Sequence, residues 1–322
     1  MIIFHSLLIF ESIYYNTFIS KKEGVFMTTF IVPENTPAQP LKDFLRKICG
    51  ISLTGWRKIK QSDSLKINGI ITSPGRAVIY PKDIITYELC LKKKNSMQPM
   101  PIPIDIIFED EYLLVINKPA NMLVHPTTKE HHHTLANAVL FHYQKNNLSL
   151  NYHPVHRLDK NTSGLVLIAK YPHIQHQFSH ALENKLLARN YIAIIQGNIA
   201  NENGIINLPI ARHPNSIIER IVSSSGQEAI THYQVVERYL NACQIKLSLK
   251  TGRTHQIRVH LSYLGHPIIG DDLYGGDISL LQRQALHAFN LTFTHPVTKQ
   301  TLSFNSPLPN DIEKLLIQLK TL

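Results

Sequence analysis

Cysteine is nearly absent from this 322-residue chain: Cys49, Cys90 and Cys243 lie far apart and are odd in number. They build neither a disulfide framework nor a metal-ligand spacing, which points to a reducing, cytoplasmic setting. No glycine-rich phosphate loop occurs, so phosphoryl chemistry lacks its usual sequence mark. Also missing is an apolar run long enough to span a bilayer. The most apolar stretch, residues 1–20, has no basic leading segment, is interrupted by Glu11 and is followed by no small-residue cleavage site. It fails as a signal peptide. Residues 1–26 read as a non-functional extension from a misassigned start, with Met27 as the alternative initiator and a weak membrane anchor as the lesser reading. Acidic residues are outnumbered, 23 Asp+Glu against 33 Lys+Arg, for a net charge of +10. A polyanionic partner is the natural expectation.

The excess charge is unevenly placed. Residues 27–95 hold 12 Lys/Arg against 5 Asp/Glu, whereas residues 96–322 hold 19 against 16. A compact module over 27–92 therefore carries most of it. Leu41, Leu45 and Ile48 share one face of a short helix that Gly50 can end. Ser52 to Lys60 gives a second helix, bearing Trp56 with Arg57, Lys58 and Lys60. In Leu65-Lys66-Ile67-Asn68-Gly69-Ile70-Ile71 an Asn-Gly pair sits between alternating apolar residues, a tight-hairpin signal. Ala77 to Leu91 supplies another strand, with a turn at Pro81-Lys82-Asp83. Two basic helices and a small hairpin resemble the S-four-like RNA-binding module, named for a ribosomal small-subunit protein. Its candidate RNA contacts are Arg57, Lys58 and Lys60, which would neutralise phosphates with little sequence choice. A solvated basic face without a ligand is the competing reading. Residues 93–103 form a basic, proline-rich linker in which Pro99, Pro101 and Pro103 favour an extended, stiff spacer.

The second domain, 104–322, is organised around His156-Arg157-Leu158-Asp159-Lys160-Asn161-Thr162-Ser163-Gly164, which feeds the apolar run Leu165-Val166-Leu167-Ile168-Ala169. That run reads as a buried strand. A carboxylate at its mouth is partly desolvated and needs a partner or a task. On this stretch alone, two readings stand level: Asp159 caps a turn and pairs with Arg157 on the surface, or it does chemistry. Helices are expected at Thr134 to Tyr143 with Thr134 as cap, at His173 to Lys185, at Thr254 to Leu264, and around Leu315 to Leu319. Strands outnumber them without βαβ regularity. The fold class is therefore α+β, with a mixed, largely antiparallel sheet in the second domain and a small α+β module in front.

The nonapeptide, with Arg189-Asn190-Tyr191-Ile192-Ala193, Thr251-Gly252-Arg253-Thr254-His255-Gln256-Ile257-Arg258-Val259-His260 and Gly270-Asp271-Asp272-Leu273-Tyr274-Gly275, resembles the RluA-type pseudouridine synthases from about Ile106 to Leu308. That family isomerises uridine in ribosomal or transfer RNA. The resemblance implies a pseudouridine synthase fold, and the module in front is similar to the branch that acts mainly on large-subunit (23S) ribosomal RNA, with tRNA as the lesser target. It implies Asp159 as the catalytic aspartate, Tyr191 against the target base, Arg258 as the partner of the aspartate, and Arg157 as the residue that helps displace the base. Thr162, Ser163, Arg253 and His255 are the further substrate-binding candidates. Two positions depart from the family pattern: Asn121 stands where glycine is common and Gln227 where lysine is common. Asparagine tolerates positive φ best among non-glycine residues, so the first change is expected to be neutral. The second bears on an RNA contact.

The residue types fit the reaction. A uridine within folded RNA must be flipped out, at a cost of a few kcal/mol, before its glycosidic bond and carbon 5 can be reached. Arg157, planar and cationic, can fill the vacated space. Asp159 has three routes open: nucleophile at the sugar, base at a sugar proton, or nucleophile on the ring. Arg258 nearby favours its charged form against desolvation. No redox change or phosphoryl transfer is involved, so no cofactor, metal or membrane is called for, and a monomer without an obligate protein partner is the default. Two rival functions compete with this reading. One is a non-catalytic RNA-binding or ribosome-assembly protein on the same fold. The other is a metal hydrolase built on His131-His132-His133 and Asp271-Asp272, whose consecutive histidines do not have ligand spacing. Asp271-Asp272 itself reads as a solvated or capping pair without a catalytic role.

Overall fold

A computed structural model describes residues 17–22, 25–89, 97–128, 130–183 and 187–321. Residues 1–16 of the expected extension, Cys90 and the basic half of the linker lie outside the described residues. Thr17–Lys22 pairs antiparallel with Val25–Ile31, which in turn pairs with Ile84–Leu89. Leu41–Asp43 opens a helical segment that continues as a π-helical turn over Phe44–Ile48. Helix α1, Leu53–Gln61, follows, with the Ser52 hydroxyl accepting the Gly55 N–H at 3.0 Å. Trp56 and Ile59 turn inward while Arg57, Lys58 and Lys60 stay exposed. At the hairpin Lys66–Ile67/Ile70–Ile71, Asn68 and Gly69 take φ of 53° and 81°, the two positive angles that this turn requires. Phe30, Leu41, Phe44, Leu45, Trp56, Ile79 and Tyr87 close a core of their own.

The second unit holds the short antiparallel pair Ile210–Arg212/Arg220–Val222 and is built on a ten-stranded sheet. Its strands are β1 (Asp105–Glu109), β2 (Leu113–Lys118), β3 (Ser163–Ala169), β4 (Leu187–Gln196), β5 (Asn203–Asn207), β6 (Ile230–Arg238), β7 (Ala242–Leu249), β8 (Leu286–Thr294) and β9 (Thr301–Asn305), with His153–Pro154 beside β3. The order is β5-β6-β7-β4-β8-β3-β2-β1, and β9 pairs with β8. Every ladder is antiparallel except β3 with β8, which run parallel over only Ser163↔His287 and Gly164↔Ala288. The mixed, largely antiparallel α+β architecture is thus as expected. Every residue of β3 is buried, which explains its unbroken apolar run in place of alternation.

Four helices cover the sheet. In α2 (Leu135–Lys145), Thr134 and Asn137 form a reciprocal cap, and Leu135, Val139 and Tyr143 enter the core. Helix α3 spans Pro172–Glu183, α4 Gln256–Tyr263 and α5 Asn310–Thr321. Helix α4 starts two residues later than the spacing suggests, because His255 takes a left-handed conformation, φ 57° and ψ 19°, as its N-cap. Among the linker residues described, the Asn137 side chain donates to Gln98 O at 2.8 Å, Met100 N donates to Asn137 O, and Met97 and Ile102 pack on the large core. This stretch lies on the second unit instead of standing off as a spacer, since its apolar side chains gain by burial.

Candidate active site

In the turn 156–162 the carbonyls of Asp159, Lys160 and Asn161 all find donors. Leu158 plugs into the core. Thr162 N donates to Asp159 O at 3.1 Å, Met122 N to Lys160 O at 3.1 Å, and Arg283 Nη1 to Asn161 O at 3.1 Å. From beneath, the fully buried Lys118 donates to the carbonyls of Pro119 (2.7 Å), Met122 (2.9 Å) and Lys160 (3.1 Å). Burial pushes its ammonium down to about 7, Asp159 pulling the other way and Arg283 adding to the fall. Asn121 takes φ 58° at the neighbouring turn, which is the conformation that glycine would serve.

Gly164 ends the turn where two strands nearly touch. Its φ is 113°, and a Cβ there would fall 2.3 Å from Ala288 O. Any side chain would wedge β3 away from β8 and carry the turn with it. Ser163 and Thr162, expected to bind substrate, are 3% and 2% exposed. The Ser163 hydroxyl bonds His287 Nδ1 at 2.9 Å and the Thr162 hydroxyl accepts from Gln284 at 3.2 Å. Thr162 still borders the cleft, whereas Ser163 faces the other way. Both act on the frame that holds Asp159.

Asp159 opens into a cleft of about 1390 Å³, with Arg157, Tyr191, Arg253, His255 and Arg258 also in its lining. These residues gather from three segments separated widely in sequence. Arg258 Nη1 donates to Asp159 Oδ2 at 3.2 Å, while Arg157 is exposed and makes no ion pair with that carboxylate. Helix α4 carries Arg258 with 8% of its side chain exposed, and Nε and Nη2 fork onto both oxygens of Asp271 at 2.7 Å. Asp271 is fully buried. Its expected role as a solvated or capping carboxylate is therefore corrected: a buried guanidinium needs a geometrically matched anion, and Asp271 supplies it. Burial works against the charge on Arg258, but Asp271 first and Asp159 second raise its pKa above the ordinary range. The Tyr274 ring lies 4.9 Å from the same guanidinium.

His255 stands 3.9 Å from Asp159 Oδ1 through Nε2, too far for a hydrogen bond, and its Nδ1 meets the Tyr274 hydroxyl at 2.8 Å. Burial lowers its pKa despite the nearby Asp159. Tyr191 is 4% exposed, at a point where the β4–β8 register shifts between Asn190 and Ile192. Such irregularities re-aim a side chain. Burial raises its hydroxyl pKa, keeping the phenol protonated. Arg253 is exposed at the cleft edge, with Nε donating to Glu228 O at 2.9 Å. Arg57, Lys58 and Lys60 do not line the cleft.

His131, His132 and His133 are exposed. Among the described residues no group of three or more His, Cys, Asp or Glu side chains is placed to hold a metal ion. The metal reading also needed Asp271, which is engaged by Arg258. No helix among the described residues is long and apolar enough to cross a membrane.

The profile of the RNA pseudouridylate synthase family matches residues 112–263. The uncharacterized RNA pseudouridine synthase YjbO of Bacillus subtilis is 45% identical over 216 residues, 67% of this chain and 76% of that protein. Ribosomal large subunit pseudouridine synthase D of Haemophilus ducreyi is 36% identical over 275 residues, 81% of this chain and 84% of that one. The chain belongs to the RluA-type RNA pseudouridine synthases. Among solved structures, human RNA pseudouridylate synthase domain containing 4 shares the fold at a TM-score of 0.56 and 24% identity, covering 67% of this chain and 93% of that one. The protein is therefore an RNA pseudouridine synthase, an isomerase that acts on RNA. Of the residues around its cleft, sequence reasoning missed Asp271 and Lys118 as supports. Their signal was available: each charged residue follows one residue after an apolar run, Ile268-Ile269 or Leu113-Leu114-Val115-Ile116, where a charge carried inward needs a buried partner.

Proposed function

We propose that this synthase isomerises specific uridines of large-subunit (23S) ribosomal RNA, with Asp159 as the catalytic carboxylate, Arg258 as its ionic partner and Tyr191 against the base. The observation that carries the reading is the 3.2 Å pair of Asp159 with Arg258 at the floor of an open cleft, in which Arg258 is already held by Asp271. An arginine whose other edge is fixed presents one N–H to the carboxylate and leaves its second oxygen for substrate. The aspartate stays ionised without being tied down. Exposed Arg157, next but one in sequence, is placed to enter the gap that a flipped uridine leaves. The protonated Tyr191 offers a ring to stack on uracil and a hydroxyl to assist removal of the carbon 5 proton.

Residues 27–92 serve in this reading as an S-four-like RNA-binding module, supported by the exposed Arg57, Lys58 and Lys60 on α1. Residues 93–103 join it to the catalytic domain, 104–322. The enzyme works as a cytoplasmic monomer without a cofactor. Incubation with ribosomal RNA tritiated at carbon 5 of uracil tests the assignment. Wild type is expected to release tritium to water from the 23S but not the 16S species, and Asp159→Asn to release none. Equal release by the variant would remove Asp159 from its role. Release from transfer RNA alone would replace the substrate.

A further inference from the structure

Two buried N–H donors on one wall of the cleft have nothing to bond. Arg189 precedes Tyr191 by two residues on β4, so the two share a sheet face and both border the cleft. It is 8% exposed, its Nε has no hydrogen-bond partner, and among the described residues no carboxylate pairs with it. His156, 9% exposed, lines the same cleft. Its Nε2 accepts the Leu167 N–H at 3.2 Å, so in the neutral ring the proton sits on Nδ1, and that atom is also without a partner. Burial, and Arg189 after it, push the imidazole down to about 3, so it is neutral at working pH.

A buried cation with no internal counterion is costly to keep. The other buried arginine that lines this cleft has its anion: Arg258 is held by Asp271. The backbone makes room for the exception. A Cβ on Gly252 would fall 2.8 Å from Arg189 Nη1, so a glycine leaves the guanidinium its place.

We infer that Arg189 and His156 form a phosphate site, taking the backbone phosphodiester next to the flipped uridine. The charge of the orphan donor favours an anion over a uracil carbonyl, and phosphodiester is the anion that RNA carries into the cleft. This rests on the cleft being the seat of the flipped nucleotide. It adds a fixed anchor on the wall formed by β4.

The test compares wild type, Arg189→Met and Arg189→Lys by kcat/KM for tritium release from 23S ribosomal RNA between 50 and 200 mM KCl, with thermal melting of each free protein. For Arg189→Met we expect kcat/KM to fall roughly ten- to a hundredfold. The slope of its logarithm against log salt should become shallower by about 0.7–0.9, the share of one phosphate contact. Arg189→Lys should recover most of the slope. The free Arg189→Met protein should melt no lower than wild type, because the charge it loses has no partner. A lower kcat/KM with an unchanged slope would overturn the inference in favour of a contact to the base. A fall in melting temperature with an unchanged slope would overturn it in favour of a structural role. Absence of tritium release by wild type would instead sink the assignment of the RNA, a separate failure.

Discussion

At the floor of the cleft Arg258 bonds two carboxylates, one of them fully buried, whereas Arg57, Lys58 and Lys60 on α1 stand exposed without an ion pair among the described residues. Both regions present arginine and both are placed to meet RNA in our reading, yet their physics differs. The floor removes its charges from water and must therefore specify each partner's geometry. The face of α1 keeps its charges hydrated, so its effect is additive, long in range and screened by salt. A site that does chemistry needs the first kind of order, since a misplacement of an ångström is costly. A surface that gathers substrate needs only the second.

The sharpest way to break this contrast is Asp271→Ala. Removing Asp271 leaves the buried Arg258 with only its single bond to Asp159, and about 3–5 kcal/mol of unfolding free energy should be lost, read from urea denaturation. Tritium release should fall with it, because Arg258 would swing toward Asp159 and engage both of its oxygens. Arg57→Ala, which also removes one formal charge, should cost no more than about 0.5 kcal/mol. If the two variants proved equally stable, the floor would not be the preorganised region that its hydrogen bonds describe.

How much of this was legible in the sequence follows the same divide. The β3 run, the Thr134 cap and the Asn68-Gly69 hairpin were readable because local periodicity and turn chemistry decide them. The identity of Asp159, Tyr191 and Arg258 as a set came from the family resemblance, and their meeting in one cleft is a product of sheet order, which no local window contains. Asp271 was misread as a solvated residue because the residues around it look like a loop. Its burial depends on α4 arriving from elsewhere in the fold. Thr162 and Ser163 look like polar surface in sequence, but the approach of β8 at Gly164 encloses them.

A second, smaller effect separates the regions by pH. His156 and His287 flank the strand that carries the turn, and both are buried and neutral, pushed down to about 3 and about 4 chiefly by burial. His287 accepts the Ser163 hydroxyl at Nδ1 and offers its Nε2 proton to Ser306 O, at 3.4 Å. In the unfolded chain each titrates near 6.5. Between that value and the folded pKa the unfolded state binds more protons, so their contribution to stability is whole above pH 6.5 and drains away as pH falls toward 4. The slope approaches about 1.4 kcal/mol per pH unit for each histidine. Urea unfolding from pH 7 to 4.5 should show this fall, and His156→Gln should flatten it. An unaltered slope in the variant would mean that His156 is not a neutral support.

The smallest change in stability should come from α1, and there the information lies in salt. Substituting Arg57, Lys58 and Lys60 together by alanine removes three exposed cations while leaving Trp56 and Ile59 in the core. Alanine also has the higher helix propensity, so unfolding should shift by no more than a few tenths of a kcal/mol per site. If these side chains meet phosphate, the logarithm of RNA affinity against log salt should become shallower by about two to three. Release of tritium at saturating RNA should be unchanged, since none of the three lines the cleft. Weaker binding with the same saturated rate is what a hydrated, additive surface produces. A lower saturated rate would instead mean that α1 helps to order the cleft, and the two cationic regions would have to be treated as one.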